Sequence, residues 1–344
     1  IDFSDSTNGA LLLEPQSTNL ALQSNQFNES EWSKTNTSVS ANETGVGGST
    51  NAWLLSKSSS DGLIRQFITT TGANTFSVYV KKGSLSWVRL FIASSTESSS
   101  VYVNLDNGLT GTSSGSPTVK VVPMDNGWYR CIITKDTTNI NNFRIYPADA
   151  DNDTSGTSGN IYIQYAQVEA GSYATSYIPT SGSTTTRLAD VCNNSGSAQD
   201  FNSEEGVLYA EIAALANDGT FRFISLKNNT TVDIIRIGYI TTSNRIEIQN
   251  YKSGVLFNSF NYEVQDVKTN SKIAFKWKDN DFQLYINGLN VLSNTSVTAW
   301  GSGVFQSLQF DQHNGGNAFY GNTRDLRIYN TALTDQELIA LTTI

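Results

Sequence analysis

A chain of 344 residues exceeds the roughly 100–200 that one sandwich domain needs, so two domains are expected, each with its own core. Charged residues make up only 15% and aromatics 11%, a balance that favours short strands and polar turns over amphipathic helices. The formal charge of −9 is spread evenly, with 12 Lys+Arg against 16 Asp+Glu from Arg187 onward and 10 against 15 before it, so no basic tract offers itself to a phosphate backbone and nucleic acid is not an expected partner.

No apolar run approaches the ~20 residues of a membrane span, so membrane insertion is not expected. Ile1 opens no signal peptide, and a chain without an initiator Met reads as a processed or excised piece. In chain order, period-two alternation first recurs at Phe76/Val78/Val80, Val88/Leu90/Ile92, Val101/Val103/Leu105 and Ile161/Ile163, placing one face of each strand on a core. The Ser/Thr/Asn-rich stretches 34–51, 94–100 and 150–159 read as surface connections. The polar, turn-rich segment Pro179–Arg187 begins at the last of five prolines and marks the domain boundary. Beyond it the same grammar continues, with Ile273, Phe275 and Trp277 facing in and Lys272, Lys276 and Lys278 facing out. Turns at Asp279-Asn280 and Asn287-Gly288 then predict an antiparallel meander. Thr334-Asp-Gln-Glu337 is a capping box, opening a helix whose Leu338, Ile339 and Leu341 form an apolar side. The two cysteines, Cys131 and Cys192, read as free thiols, the first a small core residue. The fold class is all-β: two tandem antiparallel β-sandwich domains with a short C-terminal helix.

Several words in order carry a resemblance. They are Glu14-Pro15-Gln16-Ser17-Thr18-Asn19-Leu20, Phe27, Trp32, Phe76-Ser77-Val78-Tyr79-Val80-Lys81-Lys82-Gly83, Asn126-Gly127-Trp128-Tyr129-Arg130, Ala166-Gln167-Val168-Glu169, Ala174–Thr180 and Thr186–Asp190. Together they resemble the carbohydrate-binding-module-like jelly-roll domain of phage and prophage tail or fibre proteins, over most of residues 11–191. The second half resembles the laminin-G-like, concanavalin A-like lectin domains through the Trp277 strand, Phe282–Gly288 and Leu326–Leu338. The resemblance implies a jelly roll over 1–183 and a lectin-like sandwich over 184–344. It carries fold further than ligand.

For catalysis, His313 is the sole histidine, no nucleophile elbow is present, and a zinc site with several His or Cys ligands is impossible. Retaining glycanases of the concanavalin A-like fold need two carboxylates ~5 Å apart. The best strand here, Arg245-Ile-Glu247-Ile-Gln249, supplies one, read as an outward carboxylate paired with Arg245. The same strand and Tyr251-Lys252-Ser253-Gly254 are similar to words of jelly-roll alginate lyases, but at the wrong spacing. The chain is therefore read as a binding protein and not an enzyme.

Sugar recognition needs flat aromatic faces beside planar donors and acceptors. In the first domain parity sets Tyr79, Trp87, Arg89, Tyr102, Trp128, Arg130, Arg144 and Tyr146 opposite the aliphatic face; Trp128 and Tyr129 are read as structural, and Tyr79, Trp87, Arg89, Tyr102, Arg144 and Tyr146 as the glycan-binding candidates. In the second domain Arg236, Tyr239, Trp300, His313, Asn314 and Asn317 are candidate rim residues, since loops on a rigid sandwich carry function. Asp149-Ala-Asp151-Asn-Asp153 presents alternate carboxylates as a structural Ca²⁺ loop would, against the alternative of a solvated acidic loop.

The leading expectation is a non-catalytic glycan-binding, receptor-recognition or decoration segment of a virion surface fibre. Its partners would be bacterial surface polysaccharide or another glycan and other virion proteins, its location the virion surface or extracellular space, and its assembly a homotrimer. The alternatives are an accessory carbohydrate-binding region of a secreted polysaccharide-degrading enzyme, or a structural spacer without ligand.

Overall fold

The structure is a computed structural model that describes residues 9–230 and 232–344. The first eight residues of the domain expected over 1–183 thus lie outside the described residues. The strands run β1 (Leu11–Leu13), β2 (Ser17–Asn19), β3 (Trp32–Thr35), β4 (Thr37–Glu43), β5 (Ala52–Lys57), β6 (Leu63–Lys82), β7 (Trp87–Ser94), β8 (Ser99–Asn104), β9 (Thr110–Ser114), β10 (Thr118–Pro123), β11 (Trp128–Ala148), β12 (Gly159–Ala170) and β13 (Thr185–Arg187). They continue as β14 (Glu205–Ala214), β15 (Arg222–Lys227), β16 (Ile234–Tyr239), β17 (Arg245–Lys252), β18 (Val255–Glu263), β19 (Ser271–Lys278), β20 (Phe282–Ile286), β21 (Leu289–Asn294), β22 (Ser307–Gln309) and β23 (Gly321–Tyr329), ending in the helix α1 (Asp335–Thr342).

The chain divides into two compact units, Gln16–Leu188 and the segment up to Pro15 together with Ala189–Ile344. The all-β expectation holds. The N-terminal boundary differs from the sequence reading, because β1 pairs antiparallel with β23 and so joins the C-terminal unit's sheet. The expected linker is partly strand as well: Thr185–Arg187 pairs with Ser17–Asn19. The polar stretch 34–51, read as a connection, contains half of β3 and all of β4.

In the N-terminal unit the strand order is β4-β5-β12-β6-β11-β7-β8-β9, with β10 beside β11 and β3 beside β6. β6 and β11, of 20 and 21 residues, pair along their length, and register shifts between Thr137 and Asn142 let the ladder bend. One half of each strand therefore faces the other half: Phe76 of one layer meets Phe143 of the other with ring centroids 5.6 Å apart. The alternating Val88/Leu90/Ile92 and Val101/Val103 sets close this core, together with Cys131, whose thiol burial pushes up to about 12. Each such fully buried side chain contributes about 1.5–3 kcal/mol.

In the C-terminal unit a six-stranded sheet, β1-β23-β14-β19-β20-β21, and a five-stranded sheet, β18-β17-β16-β15-β22, share one core. Phe275, Trp277 and Phe282 from the first pack in it with Ile235, Ile237 and Ile248 from the second. The expected meander is present: Asn280 turns β19 into β20, and Asn287-Gly288, with φ of 49° and 82°, turns β20 into β21. The capping box of α1 forms as read, Thr334 accepting from the Glu337 N–H and Glu337 accepting from the Thr334 N–H at 2.8 Å. Two details differ. Ile339 is 46% exposed while Leu338 is fully buried, and Lys276, read as outward to solvent, is buried and bonded to Asp281 at 2.7 Å.

Candidate functional site

The register of β6, β11, β7 and β8 decides what their outer face presents. Because Val88, Leu90 and Ile92 point into the core, Trp87, Arg89 and Phe91 point away from it. Pairing then lines residues up across strands: Arg65, Arg144, Phe91 and Ser100 form one row, Tyr146, Arg89 and Tyr102 the next, and Ala148, Trp87 and Asn104 a third. The sequence-predicted residues Trp87, Arg89, Tyr102, Arg144 and Tyr146 are thus brought together on one face. Phe91, Arg65 and Phe67 join them and were missed by the sequence reading.

The face is a mosaic of rings and guanidinium planes. The Arg89 guanidinium carbon lies 4.9 Å from the Phe91 ring centroid, 5.4 Å from that of Tyr102 and 5.3 Å from that of Tyr146. Arg144 lies 4.9 Å from Phe91, and Arg65 4.7 Å from Phe67, which is 62% exposed. Such contacts fix flexible side chains and cost a ligand little further ordering. Arg144 Nε donates to Asn142 Oδ1 at 2.5 Å and an Nη donates to the Tyr146 hydroxyl at 3.1 Å; Arg89 donates to Ser100 Oγ at 3.3 Å. Tyr102 and Tyr146 are themselves nearly covered, and burial raises the Tyr102 hydroxyl's pKa, with Arg89 opposing and Asp153 and Asp61 adding to the rise. They serve as the floor, and Trp87, Phe91, Phe67 and the arginines as the accessible surface.

Tyr79 does not belong to this face. It sits under the segment 172–180, edge-on to Tyr165, which in turn stacks on Tyr177 at 4.3 Å; Arg130, 5.5 Å from the Tyr79 ring, donates to the Thr175 carbonyl at 2.6 Å. That cluster clamps a covering strand of chain. Trp128 is fully buried, as its structural reading implied.

The carboxylates of the proposed Ca²⁺ loop are each held elsewhere. Asp149 pairs with the buried Lys57 at 2.6 Å, Asp151 accepts from Thr112 N at 2.7 Å, and Asp153 accepts from Ser155 N at 2.8 Å. Among the described residues no group of three acidic, His or Cys side chains is placed to hold a metal. The loop is a hydrogen-bonded staple, its three carboxylates turned to Lys57, Thr112 and Ser155.

In the C-terminal unit two candidates move into the core. Tyr239 shares the parity of Ile235 and Ile237, is 2% exposed and donates to the Ile212 carbonyl at 3.1 Å. Trp300 is 3% exposed, stacks on Phe282 and donates its indole N–H to the Tyr251 carbonyl at 3.0 Å. Neither can be a rim residue. Arg236 does lie on the outer face of the five-stranded sheet, between Phe223 at 4.7 Å and Tyr251 at 5.2 Å, and bonds Gln249. Burial lowers the pKa of His313, and the nearby Arg236 and Lys227 lower it further against Asp311. Asn314 and Asn317 are exposed but spend their amides on their own loop, with Gln312 and Gly316. Glu247 accepts from Ser259 at 3.4 Å, whereas Arg245 pairs with Glu263 at 3.0 Å, correcting the expected Arg245–Glu247 pair. A depression of about 360 Å³ between Glu211, Lys268, Lys272 and Arg324 has no aromatic wall.

Residues 208–339 match the family model described as the Concanavalin A-like lectin/glucanases superfamily. The lectin-like fold of the second half is thereby shown for those residues. A comparison with the curated proteins finds no match. Among solved structures, the CBM40 of the Ruminococcus gnavus IT-sialidase, bound to alpha2,3 sialyllactose, is 14% identical, with 44% of this chain and 95% of that one covered and a TM-score of 0.36. Domain 4 of AbnA, a GH43 extracellular arabinanase from Geobacillus stearothermophilus in complex with arabinotriose, is 17% identical over 47% and 73%, with a TM-score of 0.33. Mouse laminin alpha1 chain domains LG4-5 are 11% identical over 85% and 96%, with a TM-score of 0.31. These likenesses are too weak to carry a ligand across to this chain.

Proposed function

We propose that the chain is a non-catalytic glycan-binding segment of a phage or prophage surface fibre, and that the outer face of β6, β11, β7 and β8 is its sugar platform. The observation that carries this reading is the in-register mosaic of Trp87, Phe91 and Phe67 with Arg65, Arg89 and Arg144. Rings of this kind cover the apolar faces of pyranoses while guanidinium donors read hydroxyls, on a surface already ordered by its own cation–π contacts. Single sites on an open sheet face bind weakly, so the reading includes display in several copies, as a homotrimer among other virion proteins at the virion surface, where avidity makes weak sites effective.

The test is an array of bacterial surface polysaccharides probed with the full chain and with a Trp87→Ala/Phe91→Ala variant of unchanged melting temperature. The wild type should bind and the variant should lose its signals. Silence from the folded wild type, or equal binding by the variant, would overturn the proposal.

A further inference from the structure

Arg65 and Arg144 are direct cross-strand partners, and Arg89 stands one row away. Like charges set opposite each other on a sheet face destabilise it, and folds ordinarily interpose a carboxylate. Here none is interposed: among the described residues, none of the three guanidinium groups makes an ion pair, in a chain of formal charge −9 that pairs many of its other basic side chains. Arg65 has no side-chain acceptor at all among those residues, and its Nε and that of Arg89 are buried without one. Three acids lie at the Tyr102–Trp87 end of this face, Asp61 and Asp153 acting on the Tyr102 hydroxyl and Asp151 set against Gly111 beside the Trp87 ring, and they are themselves bonded, to Thr154 at 2.6 Å, to Ser155 at 2.8 Å and to Thr112 N at 2.7 Å. Positive charge therefore concentrates at the Arg65–Arg144 end, beside the exposed Phe67 and the half-buried Phe91.

We infer that the platform is built for an acidic glycan, whose carboxylate, sulfate or phosphate is received between Arg65 and Arg144 while its ring lies against Phe91 and Phe67. This inference rests on the sugar-platform reading and adds the ligand's charge to it. An anion placed between two unpaired guanidinium forks would make charge-assisted hydrogen bonds to both and remove their mutual repulsion. A neutral sugar would gain the ring contacts and leave the repulsion in place.

Three matched pairs of polymers distinguish the anion sources: polygalacturonate and its methyl ester, dextran sulfate and dextran, phosphomannan and mannan. Binding to the full chain is measured by calorimetry at low salt. At least one acidic member should bind about tenfold more tightly than its neutral partner, the effect of one charge-assisted hydrogen bond. That preference should shrink as salt is raised, disappear in an Arg65→Gln/Arg144→Gln variant, and persist in Arg245→Gln, which removes an arginine from the other unit. The salt series on the wild type reads the same preference should the double variant fold poorly. Equal affinity for acidic and neutral members, or a preference that survives the double variant, would overturn the inference. Should neutral glycans alone bind, the acidic ligand falls and the platform stands; should no polysaccharide bind the folded chain here or on the array, both fall.

Discussion

On the outer face of β7, β8 and β11, Trp87, Arg89, Phe91 and Arg144 are half-buried, the Trp87 ring resting beside Gly111 of β9. On the outer face of β14, β19 and β20, Tyr209, Lys276 and Tyr285 are buried, because Leu338 of α1 packs on Tyr209, Tyr285, Val207 and Ala274, and Asp281 takes the Lys276 ammonium at 2.7 Å. Both faces begin from the same period-two alternation. The difference teaches that alternation assigns a side chain to a face, and that only the elements packed later decide whether the face is a core or a binding surface. In the covered case Lys276 has a carboxylate partner; in the open case three guanidinium groups have rings for neighbours and, among the described residues, no ion pair.

Several changes would break or sharpen this contrast. Trp300→Ala, which empties a core position between Phe282 and Phe305, should destabilise the C-terminal unit by about 3–5 kcal/mol in denaturant melts, whereas a true rim residue would cost well under 1 kcal/mol. Leu338→Ala removes the anchor of α1 and should cost about 2–4 kcal/mol, also uncovering Lys276 to amine-reactive probes; an unchanged melt would mean that the helix does not roof the sheet. Trp87→Ala should lower affinity for an array-positive glycan about tenfold, or about 1.4 kcal/mol, with the melting temperature held, the opposite signature to the two core changes. Thr334→Ala should cost about 1 kcal/mol through the lost cap, read as fraying of the C-terminal amides in hydrogen exchange. Smallest of all, a calcium chelator should leave melting unchanged, since Asp149, Asp151 and Asp153 are already bonded to Lys57, Thr112 and Ser155; a chelator-dependent drop would restore the cation loop.

Much of the fold was legible because it is local. Val88/Leu90/Ile92 announced a two-faced strand, Asn287-Gly288 a tight turn and Thr334–Glu337 a helix start. The pairing of Leu11–Leu13 with β23 was not, because nothing in three leucines names a partner some three hundred residues away. The open face was half legible: parity gave Trp87, Arg89, Arg144 and Tyr146, but Arg65 and Phe67 were hidden by Gln66. That residue takes the core-facing place between them and bonds the backbone of Leu22 with both ends of its amide. Tyr239 and Trp300 were misread for a related reason. Their polar atoms suggested exposure, yet each finds one backbone carbonyl and the rest of the ring is worth more in the core.

The central claim is that the uncovered face binds sugar, and the most direct test is side-chain NMR of the full chain titrated with an array-positive oligosaccharide. The account predicts that the Arg65, Arg89 and Arg144 guanidinium and Trp87 indole signals shift together and saturate with one affinity, while the Trp300 and Trp277 indoles stay still. Saturable binding that moves other residues and leaves those four unshifted would contradict it.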